Sequence, residues 1–230
     1  MSLKGIFPID KWDFKSGSVL AELPLSDLQL LTVHQSCQVY KKGEIIFREG
    51  AFAAGIFYIV EGKAKKYKVD KSGREQIIYI ANQGELIGYH AVLSEERYPD
   101  SAAAMEDSLV SFIPKEDFAD VLLRSPVFMQ RLLKALSHEF TVLANSISVF
   151  AQRTGPERLA IALIVLREKS KDEFKEDQEI VLNISRSDLA NIAGIASENV
   201  IRLLKEFKNE GILETDGRKI MIKDIKLLVK

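Results

Sequence analysis

Cysteine is almost absent from this chain. One residue, Cys37, is present in 230, so no disulfide can close within the chain, and no four-cysteine iron–sulfur or zinc site can be built from it. Long apolar runs are missing as well: nothing approaches the roughly 18–20 consecutive apolar residues that cross a bilayer. The amino terminus shows no basic region leading into an apolar stretch and a small-residue cleavage site. The expected location is cytoplasmic, without a membrane partner. An excess of positive charge is also lacking. A net charge of −1 and a pI near 6.4 exclude a protein that coats nucleic acid indiscriminately, because such proteins are strongly basic, yet they leave room for a local basic face. The three histidines, His34, His90 and His138, are far apart, Cys37 has no evident base, and no G-x-x-x-x-G-K-[ST] run exists. An enzyme is not expected, nor a metal site.

What is present falls into three regimes. Residues 18–35 read as a short helical lead-in, with Ser26-Asp27 as the expected cap before Leu28, Leu30 and Leu31. From 37 to 113 the chain turns to short β-branched and aromatic segments punctuated by glycine, among them Glu44–Phe47, Gly55–Val60, Ala64–Val69, Gln76–Ile80 and Leu109–Ile113. Many short strands with regular turn signals predict a β-sandwich or roll, and Lys71-Ser72-Gly73 predicts one of its hairpin turns. Pro114 opens a helical region. In it Met129, Leu133, Leu136, Phe140, Leu143, Ile147 and Phe150 recur at alternating steps of four and three, a heptad seam. A second stripe, Leu132, Ala135, Val142 and Val149, runs beside it. Two stripes on one helix need two surfaces to bury against. The β-roll can supply one; the same helix of a second subunit is the expected other, giving a parallel homodimer.

Thr154-Gly155-Pro156 ends the long helix and begins a second domain: a helix near 156–169, a charged loop from Lys171 to Glu179, a strand at Ile180–Leu182, two short helices and a terminal hairpin. Ser185 and Asp188 form a capping-box-like start. Ala190 is small enough for two helices to approach, Gly194 makes the turn, Val200, Leu203 and Leu204 form the buried face of the second helix, and Phe207 closes it. This spacing is that of a helix-turn-helix. Its outer face carries Ser197, Glu198, Asn199, Arg202 and Lys205. Arginine suits two hydrogen bonds to guanine and glutamate accepts from the cytosine amino group, so Ser197, Glu198 and Arg202 are the expected base readers. Arg218 and Lys219, near an Asp216-Gly217 hairpin turn, with Lys205 and with Ser185 and Arg186 where the first helix begins, are the expected phosphate contacts to double-stranded DNA.

Read together, these features resemble the CRP/FNR family of bacterial transcription regulators over nearly the whole chain. Lys42–Gly50, Phe57–Gly62 and Gly84-Glu85-Leu86-Ile87-Gly88 resemble the β-roll of a cyclic-nucleotide-binding domain, and Ser185–Phe207 resembles the family's DNA-reading motif. The resemblance implies an α+β chain: a double-stranded β-roll of cupin-like or jelly-roll type over 1–125, a dimerisation helix over 126–152 and a winged helix-turn-helix over 153–230. It implies a homodimer on a near-palindromic operator, with RNA polymerase as a further partner. Because family members use Glu and Arg at the positions of Glu198 and Arg202 to read a GA step, it implies a TGA-like half-site core. Members that use Ser at the position of Ile201 differ from this chain, which leaves the neighbouring base open.

The resemblance also places an effector region at Gly84, Glu85, Leu86, Arg97, Asp100, Ser101 and Leu143. Where cyclic-AMP-binding members carry an Arg-Ser pair against the cyclic phosphate, this chain has Asp100-Ser101, which turns attraction into repulsion; Arg97 would take over only through a shift of its loop. The Thr-Ser pair that meets adenine falls at Leu143-Ala144. Cyclic AMP is therefore disfavoured. The cysteine cluster of the oxygen-sensing members is excluded by the single Cys37, and haem has only His90 as an axial candidate. A small-molecule or redox signal other than cyclic AMP is expected; the alternative is a sensor or adaptor of the same fold that still takes a cyclic nucleotide through a rearranged pocket.

Overall fold

The computed structural model describes Trp12 and residues 17–171 and 179–229; the loop expected between Lys171 and Glu179 lies almost wholly outside them. The chain divides into two compact units, Ser16–Ala144 and Asn145–Lys230, with the boundary inside a helix.

The first unit is an eight-stranded antiparallel double sheet. One sheet orders its strands β1 (Ser36–Tyr40), β8 (Ser108–Pro114), β3 (Gly55–Glu61) and β6 (Leu86–Ile87); the other orders β2 (Ile45–Phe47), β7 (Ser101–Ala104), β4 (Lys63–Val69) and β5 (Glu75–Asn82). The expected turn at Lys71-Ser72-Gly73 joins β4 to β5. Asp70 accepts there from the Ser72 and Arg74 backbone N–H groups, and Gly73 holds the positive φ. The core is aromatic: Phe47 stacks on Tyr98 with ring centroids 4.3 Å apart and on Phe57 at 5.3 Å. Gly88 has a φ of +80°, and a Cβ there would lie 3.0 Å from the Tyr98 ring, so this position needs glycine on both counts.

Helix α1 (Leu25–Leu31) begins ahead of the expected cap. Pro24, rather than Ser26-Asp27, stands at its N-cap, and its carbonyl accepts from the Asp27 and Leu28 N–H groups. The Ser26 hydroxyl donates to the Asp27 side chain instead. After the short α2 (Tyr89–Leu93), Pro114 caps α3 (Lys115–Arg124).

Helix α4 (Pro126–Gln152) carries both apolar stripes. Leu132 and Val149 of the second stripe are buried. The heptad stripe faces outward: Leu133 is 59% exposed, Phe140 71% and Ile147 70%.

In the second unit Thr154 precedes α5 (Gly155–Lys169), and the Glu157 carboxylate reaches back to the Thr154 N–H at 2.8 Å. Next come β9 (Val181–Asn183), α6 (Arg186–Ala193) and α7 (Ser197–Asn209), then β10 (Leu213–Asp216) and β11 (Lys219–Ile222), which pair in the order β10-β11-β9. Leu159, Leu163, Leu189, Val200 and Ile220 are fully buried between them.

Candidate nucleic-acid interface and sensor site

The DNA-reading candidate is built locally. The Ser185 Oγ accepts from the Asp188 N–H at 2.9 Å and donates to the Asp188 carboxylate at 2.6 Å. The first helix of the pair is thereby capped. Gly194 closes it in the left-handed conformation, φ 63° and ψ 38°, which lets α7 leave at an angle. The apolar spacing turns Val200, Leu203 and Leu204 inward. Glu198, Asn199, Arg202 and Lys205 are exposed, Ser197 is half-buried in the first helical turn, and Ile201 is exposed among them. Glu198 and Arg202 do not engage each other. The Arg202 Nη1 donates to Glu206 Oε1 at 2.6 Å, one turn further on, since an i,i+4 acid is within reach on either side.

The wing is a two-residue hairpin in which Asp216 pairs with Lys219 across Gly217-Arg218. The turn is therefore one residue later than the expected Asp-Gly pair, with Gly217 at φ +53° supplying the required backbone. Arg218 and Lys219 are exposed at its tip. Two of the expected phosphate contacts also bond within the unit. The Ser185 hydroxyl is engaged by Asp188 as the cap, and the Arg186 Nη2 donates to the Gly217 carbonyl at 2.8 Å. Burial holds the Arg186 guanidinium below its usual pKa. Arg186 thus stitches the start of α6 to the wing.

The sensor candidate is less local. Gly84 and Glu85 fold back on β3: the Gly84 N–H donates to Ile59 O at 2.8 Å and the Ile59 N–H to Glu85 O at 3.0 Å. The Glu85 carboxylate, buried, accepts from the Tyr79 hydroxyl at 2.7 Å. Leu86 joins an apolar cluster with Ile56, Ile113 and Phe118 instead of lining a polar site. The Ser101 Oγ accepts from the Glu49 N–H at 2.9 Å, and Leu143 is half-buried. Arg97 is engaged at the surface. Its guanidinium lies 3.8 Å over the exposed Phe52 ring and donates to Gly50 O at 2.7 Å, so stacking and a backbone bond hold it on the surface.

Asp100, by contrast, is buried and gathers charge. Its Oδ2 is 3.4 Å from the ammonium of Lys66, which is only 2% exposed and bonds Glu139 of α4. The other Glu139 oxygen accepts from the Tyr89 hydroxyl at 2.8 Å. Burial alone would raise the Glu139 pKa, but Lys66 and the two hydrogen bonds hold it below the usual carboxylate range. Burial wins at Asp100, whose carboxyl is pushed up despite Lys66 and His90. His90 lies with Nε2 3.8 Å from Asp100 Oδ2, and burial and then Lys66 push its pKa down, which favours a neutral ring. Among the described residues no three His, Cys, Asp or Glu side chains gather as metal ligands.

Lys66 and Glu139 escape a reading of the sequence alone, although a signal exists. In the second α4 stripe, Leu132, Ala135, Val142 and Val149, position 139 continues the four–three spacing and is charged. Lys66 is concealed by a register shift between Lys66 and Tyr67 in the β4–β5 ladder, which breaks the in–out alternation, so that both residues are buried.

Comparison with known proteins matches both halves. Residues 37–125 match the family model of the cyclic nucleotide-binding domain and residues 157–230 that of the Crp-like helix-turn-helix domain. The chain is similar to the anaerobic regulatory protein of Haemophilus influenzae, 27% identical over 88% of this chain and 78% of that protein. It is also similar to the transcriptional activator protein anr of Pseudomonas aeruginosa, 29% identical over 80% and 75%. Among solved structures it is similar in fold to the c-di-GMP-responsive global regulator CLP of Xanthomonas campestris, with a TM-score of 0.75 and 20% identity over 87% of this chain and all of that one. It likewise resembles FixK2 of Bradyrhizobium japonicum, with a TM-score of 0.73 and 22% identity over 84% and 95%.

Proposed function

The chain belongs to the CRP/FNR family of transcription regulators, and from that premise we propose that it acts as a homodimer on a near-palindromic operator whose half-sites carry a TGA-like core. The observation that carries this reading is the outward face of α7, where Glu198 and Arg202 stand clear of a buried Val200, Leu203 and Leu204 beside a wing tipped by Arg218 and Lys219. Glu198 and Arg202 read bases; Lys205, Arg218 and Lys219 grip phosphate. Pairing of two α4 heptad stripes covers Leu133, Phe140 and Ile147, and sets two recognition helices about 34 Å apart.

The role is regulatory rather than enzymatic, and exercised in the cytoplasm with RNA polymerase; no described helix is long and apolar enough to cross a membrane. Cyclic AMP is not the signal. The resemblance aligns Asp100 with the phosphate-binding cation of cyclic-AMP-binding members, and Arg97 is held on the surface. With one cysteine, an iron–sulfur cluster of the four-cysteine kind is not its cofactor either.

Fluorescence anisotropy tests the reading. The purified dimer titrated against a duplex with two TGA-containing half-sites should bind tightly and lose affinity steeply with salt; equal binding to a scrambled duplex would refute it.

A further inference from the structure

We propose that the effector position of the β-roll is occupied by the chain's own Lys66 side chain, an internal ligand whose pairing with Glu139 ties α4 to the sheet in place of a diffusible molecule. The inference rests on reading Gly84–Ser101 as the effector region, and it names how that region is regulated.

Three observations carry it. The Lys66 ammonium is almost fully buried between two carboxylates on separate elements, Asp100 just before β7 and Glu139 on α4. Glu139 is itself gripped twice, by Lys66 from β4 and by the Tyr89 hydroxyl from α2, so one carboxylate fixes α4 to two parts of the roll. Third, Asp100 Oδ1 is buried with no hydrogen-bond partner while its Oδ2 faces the Lys66 ammonium that Glu139 also holds, so the cluster offers an entering anion no unengaged cation. A buried ion pair contributes little stability over an apolar pair of the same shape. Its effect is to define position, because Glu139 meets Lys66 and the Tyr89 hydroxyl together only with α4 against the roll.

An entering nucleotide phosphate would have to take the Lys66 ammonium from Glu139 and lie against Asp100. Cyclic nucleotides are therefore poor ligands here, and the tether between roll and helix is present without them. Since a ligand shifts a conformational equilibrium only through differential affinity for its states, this sensor region is set by its own side chains.

The test uses the dimer of the 230-residue chain. Wild type, Lys66→Met, Glu139→Gln and the double variant are titrated with the TGA-containing duplex, alone and with cyclic AMP or cyclic GMP, after light scattering and thermal unfolding confirm folded dimers. Wild type should bind with no additive, and either nucleotide should change its Kd by less than about twofold, whereas each single variant should shift Kd by about tenfold. The double variant should shift it no further than one single, since both residues act through one pair. Folded single variants with the wild-type Kd, additive effects in the double, or a tenfold response to a cyclic nucleotide would each overturn the proposal. Hydrogen exchange of the α4 amides separates this failure from that of the DNA reading. If wild type bound no duplex, faster α4 exchange in both single variants would still uphold the tether, and unchanged exchange would end it.

Discussion

Each unit of the molecule contains an Arg or Lys paired with a glutamate, and the two pairs could hardly differ more. In α7 the Arg202 and Glu206 side chains are 57% and 48% exposed; in the roll those of Lys66 and Glu139 are 2% and 10% exposed. Water screens the first pair, so it can be made and broken at little cost, which suits a residue that must exchange a carboxylate for a base edge. The second pair has only buried alternatives, Asp100 for Lys66 and the Tyr89 hydroxyl for Glu139. Removing one partner leaves the other dry and short of its main counter-charge. A reading surface needs exchangeable partners, and a fixed scaffold needs partners that cannot be exchanged.

The largest effect should come from breaking the buried pair. Glu139→Ala should destabilise the first unit by about 3–5 kcal/mol, measured by urea unfolding; a loss near zero would mean that Lys66 is hydrated after all. The same pair has a pH signature. Because the Glu139 pKa is held below its ordinary value, its contribution is complete above the ordinary carboxylate range and is lost as pH falls through the depressed folded value. Glu139→Gln should flatten that acid limb, and an unchanged limb would assign it to other groups.

Next in size, Arg202→Ala should weaken binding to the TGA-containing duplex by about 1–3 kcal/mol and relax selectivity at one base pair, seen by competition with single-base variants. Ser185→Ala removes the cap on α6 and should cost about 1 kcal/mol of stability in the second unit, read from its thermal midpoint. Smallest of all, Glu206→Gln should change stability by well under about 1 kcal/mol. A larger effect on DNA affinity than on stability would show that Glu206 orients Arg202 as well as holding it.

The same contrast explains what could be read from the sequence. The helix-turn-helix is legible because its determinants are neighbours: Ser185 and Asp188 three positions apart, Gly194 at the turn, and apolar residues at helical spacing. The β-roll was legible as a class of fold from its short strands and glycines. Its charge cluster was not, because Lys66 and Glu139 lie 73 positions apart and the β4 irregularity hides which lysine of Lys65-Lys66 turns inward. Arg97 is a second case: its nearness in sequence to Asp100 leaves open whether a loop shift brings it there, and the Phe52 ring and the Gly50 carbonyl, which hold it on the surface, are distant in sequence.

The bond from Arg186 to the Gly217 carbonyl has a consequence for ion release. Each phosphate neutralised by a protein cation frees condensed counterions and adds about 0.9 to the slope of log affinity against log salt. An arginine whose guanidinium is turned to the wing's backbone keeps its charge but is expected to add less to that slope than a side chain free to meet phosphate, although it lies where the first helix begins. Lys219→Ala should therefore lower the slope of the dimer by about two. Arg186→Ala should lower it by less while loosening the hairpin, so that affinity falls by a similar factor at every salt concentration.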